Sequence, residues 1–114
     1  MNIPDFTLGE TLTDEQSAFF EENGFIRFRN VATQTECDTI CKALDAQSSQ
    51  FVEENRKTVL GIPLQWGATP AGAPYVQRYA YSSHYASDIQ GFVTDDRFEP
   101  VRRLCGENAR LAET

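Results

Sequence analysis

The chain has 114 residues, 40% hydrophobic and 24% charged, with 8 Phe and 4 Tyr, a composition typical of a folded soluble protein and not of a disordered or fibrous one. Its formal charge of -7 and the lack of any long Lys/Arg run argue against nucleic acid and anionic membranes as partners. No basic leader with an apolar run and no stretch of about 18 apolar residues occurs, so we expect a cytoplasmic protein without a membrane span.

The first periodic segment opens with a capping box. Thr13 is placed to accept a hydrogen bond from the backbone N–H of Gln16, and the Gln16 side chain is placed to reach back. Gly24 can adopt the left-handed conformation that ends helices, which lets Phe25 fold back toward Phe20. A short helix is therefore predicted between Thr13 and Gly24, after a flexible N-terminus over residues 1–11.

A strand and a long helix follow. Residues 25–29 alternate as in a half-buried strand, with Ile26 and Phe28 on one face and two arginines on the other. A second capping box at residues 33–36 precedes apolar residues at helical spacing. We predict a helix over residues 34–56, and its apolar stripe comprises Cys37, Ile40, Cys41, Leu44, Phe51 and Val52.

Three cysteines cannot all pair within one chain, so reduced thiols are predicted. Cys37 and Cys41 share a helix face at i,i+4 spacing, which is compatible with a metal clip. Because both lie in the apolar stripe and no second ligand pair accompanies them, we favour buried core thiols.

Residues 61–74 are rich in Gly, Pro and Ala around the single Trp66, which predicts an ordered or lid-like loop. Residues 75–81 alternate and carry three tyrosines, as a second strand would. Trp66, Tyr75 and Tyr79 are candidates for the substrate side of a pocket, and core or loop-anchoring roles fit them equally.

Arg78 lies on the same predicted strand, and a buried cation there would need an anionic partner. It is therefore the candidate for cofactor binding, although an exposed strand arginine is the favoured interpretation.

Two further helices are predicted toward the end of the chain. A short one is capped by Ser83 or Ser87. The last begins with Pro100 in its first turn and ends at Gly106. The apolar side of the last helix comprises Val101, Leu104 and Cys105.

The only histidine, His84, lies four residues before Asp88. A facial triad of two histidines and a carboxylate needs a second imidazole, so this chain alone offers no metal ligand set, and no catalytic residue is assigned to it. We expect His84 at or near the surface. A small hydrolase built on His84 and Asp88 is a third hypothesis.

Five segments occur in a distinctive order, namely LTDEQ (residues 12–16), FFEENGFIRFRNV (19–31), RYAYSSHY (78–85), FVTDDR (92–97) and VRRLCG (101–106). This series resembles the N-terminal region of the phytanoyl-CoA dioxygenase family over about residues 11–114. The resemblance implies an α+β segment that packs on a double-stranded β-helix (jelly-roll) core, most of which lies outside these residues. Residues 1–114 would be a single partial domain, with residues 12–114 as the N-terminal region of the oxygenase domain.

The resemblance also implies Fe(II) and 2-oxoglutarate as cofactors of the intact parent, which would hydroxylate a small organic or acyl substrate. The family holds iron with a His-X-Asp motif and a distal His, and His84 does not match because Tyr85-Ala86 follows it. We therefore expect this chain alone to be inactive and to bind neither cofactor.

Apolar faces that the missing core would cover are expected to promote self-association. These faces lie around Ile40, Leu44, Phe92 and Leu104. The alternative is a self-contained α+β binding or oligomerisation module without catalysis.

Overall fold

The computed structural model describes residues 2–111, which form a mixed α and β protein made of two compact units. The first unit comprises residues 2–34 and 94–111, and the second comprises residues 35–93. The predicted α+β class is confirmed, and the sheets formed by the described residues are small and two-stranded. None of the helices within residues 2–111 combines the length and apolar character needed to cross a membrane.

In the first unit, strand β1 (Phe6–Thr7) pairs in parallel with β2 (Phe28–Arg29). The Phe6 N–H donates to the Arg27 carbonyl at 3.0 Å. The strand predicted over residues 25–29 is thus only two residues long, Phe28–Arg29. Its partner strand, β1, lies within residues 1–11, which were predicted to be a flexible N-terminus.

Charged side chains also contact this N-terminal segment. The Arg29 guanidinium donates to the Asp5 carboxylate at 3.0 Å, and Arg27 donates to the Ile3 carbonyl at 2.7 Å. The hydrogen bond from Arg29, with the nearby charge of Arg27, lowers the pKa of Asp5. The arginines on the polar side of the predicted strand therefore hold residues 3–5 beside β2.

Helix α1 (Asp14–Asn23) begins at the predicted capping box. The Thr13 hydroxyl accepts from the Gln16 N–H at 3.1 Å, and the Gln16 side-chain oxygen accepts from the Thr13 N–H at 3.0 Å. Gly24 ends the helix with φ 76°, as predicted. The Phe25 ring then meets Phe19 edge-on, with centroids 5.6 Å apart, one position before the Phe20 that the sequence suggested.

The first unit closes with a 3₁₀ turn (Asp96–Phe98) and a short helix, Glu99–Leu104, which confirms a last helix with Pro100 in its first turn. The Asp95 carboxylate caps the 3₁₀ turn by accepting from the Arg97 N–H at 2.9 Å. Arg97 also donates to the Val31 carbonyl at 2.8 Å, so one guanidinium joins the two chain segments of this unit.

Helix α2 (Gln34–Glu54) belongs to the second unit from residue 35 onward. It ends two residues earlier than predicted. Asn55 adopts a left-handed backbone with φ 50°, a conformation that Asn tolerates better than most residues. The Arg56 N–H then donates back to the Phe51 carbonyl at 3.0 Å. Asn55 therefore plays the helix-ending role that glycine plays after α1.

The predicted loop over residues 61–74 is wrong, because this region forms parts of two antiparallel hairpins. Strands β3 (Thr58–Val59) and β4 (Ile62–Pro63) are joined by Leu60-Gly61, both with positive φ, as a type I′ turn requires. Strands β5 (Gln65–Ala68) and β6 (Pro74–Arg78) form the second hairpin.

The turn between β5 and β6 is closed by Thr69. Its N–H donates to the Ala73 carbonyl at 2.9 Å, and its hydroxyl accepts from the Ala73 N–H at 3.0 Å. Gly72 supplies the positive φ of 85°. Apart from Gly67, which lies within β5, the Gly and Pro residues that suggested a loop are at hairpin turns and strand ends.

The core of the second unit is a cluster of Phe51, Val59 and Leu64. Phe51 is 1% exposed and Val59 is fully buried. Partly buried residues pack around this core cluster, and they are Trp66, Val76, Tyr79, Tyr81 and Tyr85. Of these residues, only Val76 lies on β6. Strand β6 ends at Arg78, so the predicted strand over residues 75–81 ends three residues early.

Two short helices follow β6, α3 (Ser82–Tyr85) and α4 (Ser87–Val93). The cap position of α3 is Tyr81, which has φ 61° and makes no side-chain cap hydrogen bond, whereas Ser83 is buried inside the helix. The predicted cap by Ser83 is therefore wrong, and Ser87, the other predicted cap, is the first residue of α4. We number Glu99–Leu104 as α5.

The prediction of buried thiols is also wrong, because Cys37, Cys41 and Cys105 are all exposed. The core cluster lies around Phe51, near the end of α2, so the apolar stripe is fully buried only there. Ile40 and Leu44 are half-buried. A helical stripe shows which residues share a face, but burial depends on what folds back onto that face.

Candidate functional site

The three candidate substrate-side residues lie on the β5–β6 hairpin or just after it. The register pairs Trp66 with Val76 and Gly67 with Tyr75. Because successive side chains point to opposite faces of a strand, Trp66 and Val76 pack on the core cluster while Tyr75 is 43% exposed. Tyr79 also packs on the core cluster. The structure therefore brings Trp66 and Tyr79 to one core and leaves Tyr75 on the outer surface.

The Tyr75 ring lies directly over the backbone of Gly67. A Cβ atom added at Gly67 would come within 2.5 Å of the Tyr75 ring, closer than such contacts occur. The Tyr75 ring therefore packs on the backbone of its cross-strand partner Gly67, and this position depends on the absence of a side chain at residue 67.

Trp66 presents an unpaired donor inside the core. Its indole Nε1 is buried and has no hydrogen-bond partner among the described residues. The Lys57 ammonium lies 5.9 Å from the centroid of the same ring, within the range of a cation–π contact. A buried indole N–H usually finds an acceptor, so the polar end of Trp66 is the part of this residue that packing alone does not explain.

Tyr79 shows the same feature. Its ring packs edge-on against Phe51, with centroids 5.1 Å apart. Its hydroxyl is buried and, like the Trp66 nitrogen, lacks a partner among residues 2–111. Burial in these surroundings raises the pKa of Tyr79, because the phenolate would lose its hydration.

A third polar group at the core cluster, the Tyr85 hydroxyl, does have a hydrogen-bond partner. The sequence did not indicate this pair. Arg56 donates to the Tyr85 hydroxyl at 3.2 Å, and its guanidinium lies 5.4 Å from the Phe51 ring centroid. The Arg56 Nε also lies 3.3 Å from a Glu54 carboxylate oxygen. The two partners are 29 residues apart, so no local spacing pattern could have paired them.

Arg78 is exposed at the end of β6, where the register places it opposite Gln65. The favoured interpretation of an exposed strand arginine is confirmed. Its assignment as a cofactor-binding residue stays a prediction.

His84 is exposed, which confirms its expected place at the surface. Its ring meets Tyr81 edge-on, with centroids 5.6 Å apart, and its backbone N–H donates to the Tyr81 carbonyl at 3.0 Å. The residues of the described chain bring no three His, Cys, Asp or Glu side chains together in a group able to hold a metal ion. They therefore do not fit the ligand set of a non-heme iron centre.

The candidate site is thus an aromatic core whose two unpaired donors belong to residues selected from the sequence. No family model matches the chain, and no curated protein and no solved structure matches it.

Proposed function

We propose that the chain is the N-terminal region of a non-heme Fe(II)- and 2-oxoglutarate-dependent oxygenase of the phytanoyl-CoA dioxygenase type, which hydroxylates a small organic or acyl substrate. The observation that carries the proposal is the ordered series of segments. The structure contains a capped helix ending at Gly24, a strand, a long helix, an aromatic strand and three later short helices, in that order, and the resemblance implies a series of this kind.

The small size of the buried core supports this proposal. The buried hydrophobic residues of the described chain are Phe51, Val59, Leu64 and Ile89, and only Phe51 and Val59 are fully buried. A self-sufficient domain of about 110 residues generally buries a larger share of its apolar side chains. In the proposed parent, a double-stranded β-helix covers the half-buried faces of these helices.

The chain's own contribution in such a parent is structural and on the substrate side. The iron ligands come from other residues, because the single exposed imidazole of His84 does not fit that role. In the proposed parent, the buried donors of Trp66 and Tyr79 form hydrogen bonds with acceptor oxygens that approach the core cluster in the complete domain. Arg78 is exposed and available to an anionic group.

The sequence encoded downstream of Thr114 tests the proposal. We expect a His-X-Asp motif, a later His and a basic residue beyond it, on strands that alternate as a jelly roll requires. A reading frame that lacks the His-X-Asp motif or the later His would overturn the proposal.

A self-contained binding or oligomerisation module is the second candidate, and one observation favours it. The β3–β4 hairpin exposes large apolar side chains, with Leu60 65% and Ile62 43% exposed, and exposed apolar groups mark interaction surfaces when they are contiguous. Sedimentation and a thermal melt of the purified 114-residue chain separate the candidates. A monomer with a sharp cooperative transition supports the module, whereas a broad transition or aggregation supports the oxygenase region.

A further inference from the structure

Helix α2 presents two thiols on an exposed surface. Cys37 and Cys41 lie one helical turn apart, both are exposed, and neither is in a disulfide. The sequence argument against a metal clip rested on burial in the apolar stripe and on the lack of a second ligand pair. With both thiols exposed, the first objection no longer holds, and the second leaves solvent as the source of the remaining ligands.

The helical geometry favours a bridging ion over a disulfide. Side chains at i and i+4 on a helix have Cβ atoms about 5–6 Å apart, whereas a disulfide needs about 3.5–4.5 Å. Two thiolates bound to one tetrahedral zinc-like ion, each about 2.3 Å from it, lie roughly 3.8 Å apart. Two Cys side chains one turn apart reach that separation without unwinding α2.

The charge around the two thiols suits a cation. The chain carries a formal charge of -7, and the exposed carboxylate of Asp45 lies one turn beyond Cys41. Net negative charge raises the concentration of cations near the protein surface.

We propose that Cys37 and Cys41 form a two-thiolate site for one soft divalent cation, of the Zn²⁺ or Cd²⁺ class, with solvent in the remaining coordination positions. Binding replaces two S–H bonds by two metal–sulfur bonds and releases two protons to solvent, with no change of oxidation state. Thiolates select soft cations over the oxygen-preferring Mg²⁺ and Ca²⁺. The proposal concerns the 114-residue chain, in which both thiols are exposed, whereas the β-helix of the proposed parent would cover the face that they share with Ile40 and Leu44. Cation binding by this chain is measured without iron or 2-oxoglutarate, so a failure of the site is distinguishable from a failure of the proposed function.

Titration of the reduced 114-residue chain with Cd²⁺ tests the site through the ultraviolet thiolate-to-metal absorption. We expect the absorption to saturate at one ion per chain, with the release of about two protons per ion near neutral pH. Cys37→Ser and Cys41→Ser should each abolish the saturable absorption. Cys105→Ser is the matched control and should leave it unchanged, while far-ultraviolet circular dichroism confirms that every variant keeps its helices.

A second variant tests the spacing. Cys41→Ser combined with Lys42→Cys keeps two thiols on α2 but rotates the second by about 100° around the helix, so Cd²⁺ affinity should fall at least about tenfold as the chelate is lost. Wild-type affinity in this double variant would overturn the proposal. So would saturation at one ion per two chains, or an absorption that disappears in Cys105→Ser.

Discussion

The two units of the molecule are stabilised by different kinds of interaction. The second unit packs aromatic and aliphatic side chains around Phe51, Val59 and Leu64. In the first unit, the fully buried residues of the described chain are Gln16 and Pro100, and its segments are joined by side chains that hydrogen-bond to distant backbone carbonyls. Gln16 donates to the Thr7 carbonyl at 2.9 Å.

We call Gln16, Arg27 and Arg97 the polar tethers, since each donates to a backbone carbonyl at least nine residues away. Apolar packing is non-directional and shared among many contacts. A hydrogen-bonded tether depends on one side chain of the right length. Substitutions should therefore destabilise the second unit through lost side-chain volume and the first unit through the loss of single hydrogen bonds.

The largest effect is expected for Phe51→Ala. This side chain is 1% exposed, so its removal leaves a cavity at the centre of the core cluster and should cost about 3–5 kcal/mol. Urea denaturation followed by the fluorescence of Trp66, the single tryptophan, measures the loss. Val52→Ala, at the adjacent half-buried position, should cost clearly less, and equal losses would contradict a core centred on Phe51.

Gln16→Ala should have the next largest effect, confined to the first unit. It removes the capping-box bond from the Thr13 N–H to the Gln16 side chain and the tether to Thr7, a loss of about 1–3 kcal/mol, while the bond from the Gln16 N–H to the Thr13 hydroxyl remains. Faster hydrogen exchange of the Phe6 amide, which is bonded to the Arg27 carbonyl, would report it. Gln16→Glu keeps the capping acceptor but loses the donor, so it should free β1 while α1 persists. If the Phe6 amide exchanged at the wild-type rate in Gln16→Glu, the bond from Gln16 to the Thr7 carbonyl would not be what holds β1 in place.

Tyr79→Phe tests whether the second unit tolerates the loss of a polar group. The hydroxyl is buried without a partner among residues 2–111, so its removal should change stability by less than about 1 kcal/mol, or increase it. Tyr85→Phe is the matched control, because it loses the bond from Arg56 and should cost about 0.5–1.5 kcal/mol. A larger loss for Tyr79→Phe than for Tyr85→Phe would contradict the unpaired hydroxyl.

Tyr79→Phe should also change how the stability of the protein depends on pH in the alkaline range. Burial raises the pKa of Tyr79 above its ordinary value of 10.0, so the unfolded chain loses this proton first as the pH rises. The stability from this group is present below pH 10 and is lost as the pH rises through the raised pKa. Tyr79→Phe should reduce that alkaline loss in Trp66-detected urea melts.

The smallest effect is expected for Glu99→Gln in the first unit. The hydrogen bond from Arg102 lowers the pKa of Glu99 to about 2, with the Arg102 Nε 2.9 Å from a carboxylate oxygen. This pair stabilises the fold above the ordinary pKa of 4.5 and is lost as the pH falls through about 2. Solvent exposure and salt weaken it.

A carboxyl NMR titration of the wild type should place the Glu99 midpoint near the lowered value. Glu99→Gln should make stability less dependent on pH between 4.5 and 2. Glu107→Gln removes the same charge from an exposed site and serves as the control. An unchanged acid response in Glu99→Gln would exclude the ion pair as a contributor.

The candidate site was predictable only in part. Trp66, Tyr75 and Tyr79 stood out from the sequence as a local concentration of aromatic residues, and two of the three pack on the core cluster. The interpretation of residues 61–74 as a loop failed because Gly and Pro mark hairpin turns as readily as loops. Arg56 and Tyr85 were missed because their hydrogen bond joins residues far apart in the chain.

The local features of this protein follow from short stretches of its sequence. The Thr13–Gln16 capping box, the end of α1 at Gly24 and the start of α2 at Gln34 each depend on groups within a few residues of one another. Only the tertiary structure decided that Gln16 also reaches the Thr7 carbonyl, and that Cys37 and Cys41 face solvent. Burial depends on which distant segment folds back onto a helix face, and a helical repeat does not contain that information.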